Sequence, residues 1–214
     1  MNQIDTTIAP PRIEPGTPAP VPHRKTAVVV GALFIVQLLT FAAGSNLIEE
    51  YLRGEAARQT LTIGVMLEMC SGIAVVGIGV LMYRVLKVVD RKWAMGYPIA
   101  RLVEFGVSAI LATYLLIQLE QFPNHLLWVY LPTALGGLIL NYLFLVSAVV
   151  PRAIAVLGLL GYGLLLLTVP LDLLSVIDVE KGAGLVMLAP GGLYEFLVLP
   201  AWLITRGFRP AGTT

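Results

Sequence analysis

Within Tyr97-Pro98-Ile99-Ala100-Arg101-Leu102-Val103-Glu104-Phe105, a cation and an acid stand three residues apart in an otherwise apolar stretch. On a helix, residues at that spacing are neighbours on one face. A second acid, Glu195, lies in Leu193-Tyr194-Glu195-Phe196, and an amide, Asn141, in Leu140-Asn141-Tyr142. A third acid, Glu68, follows Met66-Leu67. Charges in such surroundings are informative because an unpaired arginine or glutamate in the middle of a bilayer costs at least about 2.5–3.5 kcal/mol. They persist where they are paired, hydrated or used. Arg101 therefore requires an anion, and its planar fork can hold two carboxylates at once.

The segments that carry these residues are long and apolar. A bilayer-spanning helix needs roughly 20 mostly apolar residues. Six stretches qualify, approximately 27–44, 61–83, 94–119, 126–149, 153–177 and 184–204. Apolar residues form 57% of the chain and charged residues 13%, with mean hydropathy +0.86. Soluble domains carry about 25% charged residues, so this chain lacks the polar surface to cover itself in water. The expected fold class is all-α, a six-transmembrane helical bundle, with a lipid bilayer as its surroundings. Prolines inside the spans (Pro98, Pro132, Pro170, Pro190, Pro200) are tolerable where neighbouring helices satisfy the freed backbone groups.

At about 1.5 Å of rise per residue, Arg101 and Glu195 both fall roughly 12 Å from the same membrane face. Asn141 falls near that level, Glu104 near the midplane and Glu68 in the opposite third. The candidate intramembrane polar cluster is Arg101, Glu104, Asn141, Glu195 and Glu68, the first four expected to face the bundle interior with Arg101 bridging spans three and six.

Orientation follows from Lys and Arg. Arg12, Arg24, Lys25, Arg84, Lys87, Arg91, Lys92, Arg152, Arg206 and Arg209 fall on one side, and Arg53, Arg58 and Lys181 on the other. The asymmetry predicts both termini in the cytoplasm and an inner (plasma) membrane location. Trp93 and Trp202 are expected at the inner interface, and Trp128 and Tyr130 at the outer one. Three regions follow: a disordered proline-rich tail over 1–23, a membrane domain over 24–208 and a short tail over 209–214. The tail does not read as a cleavable signal. Residues 45–58 alternate charges with Leu47, Ile48, Tyr51 and Leu52; a short interfacial helix and an irregular loop are equal expectations. No two glycines are spaced four apart, so the small-residue dimer motif is missing. Cys70, alone in an apolar run, reads as a small buried thiol.

Several function classes lose support. A net charge of +1 supplies no field for nucleic acid. There is no Gly-rich loop ending in Lys-Ser/Thr, no His-Glu-x-x-His, no Cys-x-x-Cys and no Gly-x-Ser-x-Gly. Neither a cofactor nor a metal is expected, and two histidines make no histidine-rich site. Three readings remain. The first is a carrier or binding protein for a small solute, lipid or proton at the Arg101–Glu104–Glu195 cluster, where Arg101 clamps an anionic group or a glutamate cycles its proton. The second is an intramembrane enzyme acting on a lipid-like substrate, with Glu68 or Glu104 as acid. The third is a structural or regulatory partner of another membrane protein, with the cluster fixing helix register and Glu68 bonding, protonated, to a neighbouring helix.

Four stretches carry a family likeness. They are Arg24-Lys25-Thr26-Ala27; Leu81-Met82-Tyr83-Arg84-Val85-Leu86-Lys87-Val88-Val89-Asp90-Arg91 with Ala100-Arg101-Leu102-Val103-Glu104; Asn141-Tyr142-Leu143 leading to Val150-Pro151-Arg152-Ala153-Ile154-Ala155-Val156-Leu157-Gly158; and Ala189-Pro190-Gly191-Gly192-Leu193-Tyr194-Glu195-Phe196 closing with Trp202-Leu203-Ile204-Thr205-Arg206-Gly207. On these, the chain from Arg24 to Phe208 resembles the small, mainly bacterial integral membrane proteins of domain-of-unknown-function family 4386. The resemblance implies a six-helix bundle with Arg101 and Glu195 at family-like positions, and no activity.

Overall fold

The structure, a computed structural model, describes residues 24–209. The tail expected over 1–23, and the last residues of the one expected over 209–214, lie outside the described residues. Apolar runs this long leave backbone groups no partner in lipid except their own helix, and every regular element described is helical. The elements are α1 (Arg24–Leu52), α2 (Arg58–Leu86), α3 (Arg91–Gln118), α4 (His125–Ser147), α5 (Arg152–Leu173), α6 (Gly182–Leu193), a π-helical turn (Tyr194–Val198) and α7 (Leu199–Thr205). With α6, the turn and α7 taken as one span, six helices are long and apolar enough to cross a membrane. The protein is a multi-pass membrane protein.

Chain order is also spatial order. Each of α1 to α6 packs on the next, and α7 returns to α1, closing a ring. The connections are short. Between α2 and α3, the Asp90 carboxylate accepts from the backbone N–H groups of Lys92 and Trp93 at 2.8 and 3.0 Å, tying down two donors that the start of a helix leaves unpaired.

The ring is filled at one end and hollow at the other. In the half carrying the termini, Phe34, Met82, Leu86, Phe144, Leu199 and Leu203 are buried together with Phe208. The backbone N–H of Arg209 donates to the carbonyl of Val149 at 2.8 Å, closing that end. Toward the other end a small cluster of Ile48, Leu61, Val65, Ala112 and Leu115 joins only α1, α2 and α3. That cluster explains why, of residues 45–58, those over 45–52 are helical and only those over 53–57 are irregular. Residues 45–52 continue α1, because Ile48 and Tyr51 recur on the face that meets α2 and α3. At 29 residues α1 is about 43 Å long, more than a hydrocarbon core of about 30 Å. The Arg53 pairs with Glu49 at 3.0 Å and Glu55 at 3.2 Å mark its wet end.

Glycines let the ring close tightly without a spaced-glycine motif, one glycine from each helix sufficing. A Cβ on Gly44 of α1 would lie 2.7 Å from the carbonyl of Gly64 of α2, and one on Gly161 of α5 would lie 2.5 Å from Cα of Gly191 of α6. The sixth span is not the single helix expected over 184–204. Pro200 has no N–H and its ring crowds the carbonyl four residues back. The preceding turn widens, and the Leu199 N–H reaches the Tyr194 carbonyl five residues behind. The outer wall is apolar, with Leu39, Met66, Ile73 and Ile110 each more than 60% exposed. Cys70 lies on this exposed wall and not in the interior, since in lipid an apolar neighbourhood in sequence points outward as readily as inward.

Candidate functional site

Arg101 sits where the filled half meets the hollow one. Its position on α3 depends on Gly79 of α2, whose missing side chain admits Cα of Pro98 and Cβ of Arg101 at 3.1 and 3.3 Å from where a Cβ would stand. The side chain is 1% exposed. Arg101 Nη1 donates to Glu104 Oε2 at 2.7 Å, and Nη2 lies 3.6 Å from Glu195 Oε1. Nη2 also donates to the Tyr162 hydroxyl at 3.4 Å. The guanidinium stands 5.2 Å from the centre of the Tyr97 ring, within reach of its negative face. One cation thus links α3, α5 and the sixth span.

Each partner is delivered by a local device. The π turn carries Glu195, and wide turns of this kind are frequent at functional sites. Tyr162 lies against Gly137 of α4, which has no side chain to keep the ring away, and meets Tyr194 edge-on at 5.9 Å. Gln37 of α1 donates from Nε2 to Glu195 Oε1 at 3.2 Å, and its backbone carbonyl accepts from the Ser71 hydroxyl of α2 at 3.1 Å.

Beyond this cluster, in the hollow half, lies a cavity of about 250 Å³ to which all six spans contribute. Glu68, Glu104 and Glu195 line it, with Gln37, Ser71, Ser108 and Thr133 among the polar groups and Phe41, Phe105 and Phe196 among the aromatic ones. Tyr130 also lines it and is half-buried. Arg101 is not part of the lining.

Of the residues singled out in the sequence, the structure brings Arg101, Glu104 and Glu195 together. Glu68 stands apart: it accepts from Ser45 of α1 at 2.8 Å and has no ion pair among the described residues, yet it shares the cavity. Asn141 does not join the guanidinium. Its Nδ2 donates to the Gly137 carbonyl one turn back at 2.9 Å, and its side chain fills the space over Gly158, which clamps α4 on α5. Gln37, Ser71 and Tyr162 are the members that sequence reasoning missed. Gln37 carried a signal, an amide inside an apolar span; Tyr162, between two glycines, carried a fainter one. Among the described residues no three or more His, Cys, Asp or Glu converge closely enough to hold a metal ion.

A family model described as a domain of unknown function, DUF4386, matches residues 29–117 and 107–207. The chain belongs to the DUF4386 family. The matched residues include every group that lines the cavity and the whole Arg101 cluster. Its members are defined by sequence and not by an assigned activity. No curated protein and no solved structure matches the chain.

Proposed function

We propose that this DUF4386 protein is a carrier or binding protein for a small solute, housed in the inner (plasma) membrane with both termini in the cytoplasm, and that the solute enters the hollow half of the ring. The single observation that carries this reading is the cavity: three carboxylates from three spans face open space inside the bundle. A cluster that served only to fix helix register would need Arg101 and its two partners. It would not need Glu68, Ser71 and Gln37 arranged around an opening on the far side.

Glu195 is the acid more loosely tied to Arg101. It holds the guanidinium at 3.6 Å and the Gln37 amide at 3.2 Å through one oxygen, while Glu104 holds Arg101 more closely at 2.7 Å. A carboxylate with looser ties is the one whose protonation disturbs the bundle least. Proteoliposomes loaded with a pH-sensitive dye and challenged with a panel of small solutes provide the test. One or more solutes should drive proton movement with wild type, and Glu195→Gln should reduce the rate at least tenfold. Equal rates in the two proteins would remove the carrier reading. Orientation is tested separately. A fluorescent reporter fused after Arg209 should light up in the cytoplasm, and a phosphatase inserted at 120–123 should be active outside; the reverse pattern would invert the topology.

A further inference from the structure

The cavity has a chemical sign. Three carboxylates line it and no lysine, arginine or histidine does, among the described residues. The nearest cation, Arg101, is walled off behind Glu104 and Glu195, with its Nη atoms already engaged. Only Glu104 and Glu195 share that guanidinium and Glu68 has no cation of its own among the described residues, so an anion entering the space meets like charge. Each acid has one oxygen engaged: Glu68 Oε1 by Ser45, Glu104 Oε2 by Arg101, Glu195 Oε1 by Gln37 and Arg101. The other oxygen of Glu68 and of Glu195 has no hydrogen-bond partner among the described residues, Glu104 also has Thr133 beside it, and Glu195 is only 7% exposed and Glu104 only 9%. These are acceptors held out of bulk water beside an open space.

Besides its neutral polar groups, the lining is largely aromatic and aliphatic. Phe41 of α1, Phe105 of α3 and Phe196 of the π turn line the same space as the acids, together with Val75, Leu165 and Leu188. Acids among aromatic faces make the environment that desolvated organic ammonium groups prefer, since each ring face is negative. At about 30 Å³ for a water-sized group, the space takes a molecule of on the order of eight to ten heavy atoms.

We infer that the hollow half of the ring receives a small protonated amine, drawn in by the acidic lining of Glu68, Glu104 and Glu195, with its ammonium on Glu68 and its hydrocarbon body against Phe41, Phe105 and Phe196. This deepens the carrier reading and rests on it for the route in and out, but not for binding. The amine can be a free solute or the amino headgroup of a phospholipid. The free solute fits better, because a headgroup brings a phosphate for which the lining holds no cation.

Binding to the full chain in lipid nanodiscs tests the inference, using cyclohexylammonium, cyclohexanol and cyclohexanecarboxylate as probes of one body and three charges. Cyclohexylammonium should bind saturably at one site, with the alcohol and the carboxylate at least tenfold weaker. Glu68→Gln keeps an oxygen for the Ser45 hydroxyl and leaves the Arg101 pairs untouched, so it should fold and lose at least tenfold in amine affinity. Phe105→Leu trims the wall against the cyclohexyl body that the probes share, so it should weaken the amine and the alcohol alike. Carboxylate binding as tight as the ammonium, or amine affinity unchanged in Glu68→Gln, overturns the inference. Should Glu68→Gln fail to fold, the three probes on wild type decide alone. Equal amine affinity in phosphatidylglycerol and phosphatidylethanolamine discs assigns the site to a free solute, whereas competition by the ethanolamine lipid assigns it to a headgroup. Amine binding without proton flux would discard transport and keep the ligand class; flux driven by an anion with no amine binding would do the opposite.

Discussion

Replacing Arg101 by methionine is expected to destabilise the protein by about 3–5 kcal/mol, the penalty for leaving one side of a buried ion pair without the other. Methionine keeps the apolar stem that lies along Gly79 and removes the guanidinium. Glu104 then loses its 2.7 Å partner and Glu195 its 3.6 Å one, and the Tyr162 hydroxyl loses its donor. Both acids must take up protons or draw water into the filled half. Arg101→Lys should recover part of the loss, because a single ammonium reaches one carboxylate well but lacks the fork that spans two. The informative variant removes all three charges: Arg101→Met with Glu104→Leu and Glu195→Leu. A buried ion triad replaced by apolar side chains of similar volume is often neutral or better in stability. This triple variant should therefore melt within a few degrees of wild type while losing amine binding and proton flux. Thermal unfolding in detergent reads both. An unchanged melting temperature in Arg101→Met alone would mean that the guanidinium is solvated and not sealed between helices.

How much of this was legible in the sequence depends on what each signal measures. The six spans were legible because crossing hydrocarbon is a matter of length and apolar content, which a sequence states directly. Hydropathy registers the membrane and not the helix, so it ends span one near Gly44, where Ser45, Asn46, Glu49 and Glu50 begin; the backbone helix runs on to Leu52 through the contacts of Ile48 and Tyr51. The Arg101–Glu104 pairing was readable from a three-residue spacing on one helix. Glu195 was placed by depth alone, which gives its level and not its direction. Rotation about the helix axis is what the sequence conceals. A helix apolar on both its lipid face and its bundle face has no polar stripe opposite an apolar one, so its pattern does not say which side turns inward. This is why Cys70 reads as interior and lies outside. Asn141 shares a depth with Arg101 but spends its hydrogen bond on its own helix. The π turn was hidden for a related reason: Pro190 and Pro200 announce disturbance, while the hydrogen bond that absorbs it depends on what α5 and α1 leave room for.

The contact between α5 and α6 gives the second large effect, because there the ring closes on two glycines with backbone on both sides. A Cβ at residue 161 would sit 2.5 Å from Gly191 Cα, 2.7 Å from its nitrogen and 3.1 Å from the Pro190 carbonyl carbon. None of these atoms belongs to a side chain that can swing aside, so the two helices must part. Gly161→Ala is expected to cost about 1–3 kcal/mol, the usual range for overpacking, and Gly161→Leu more. Gly163, two residues on, has nothing within 4 Å of its Cβ position. Gly163→Ala should therefore be neutral or stabilising by up to about 1 kcal/mol through helix propensity. The same chemical change at two neighbouring positions thus carries opposite signs. Parting α5 from α6 also shifts the turn that starts three residues beyond Gly191 and carries Glu195, so amine affinity should fall with stability in Gly161→Ala and hold in Gly163→Ala. Melting curves and probe binding on the two alanine variants read this directly. Equal behaviour would mean that α5 and α6 are not in backbone contact, and a ring open at that seam could not keep Glu195 against Arg101.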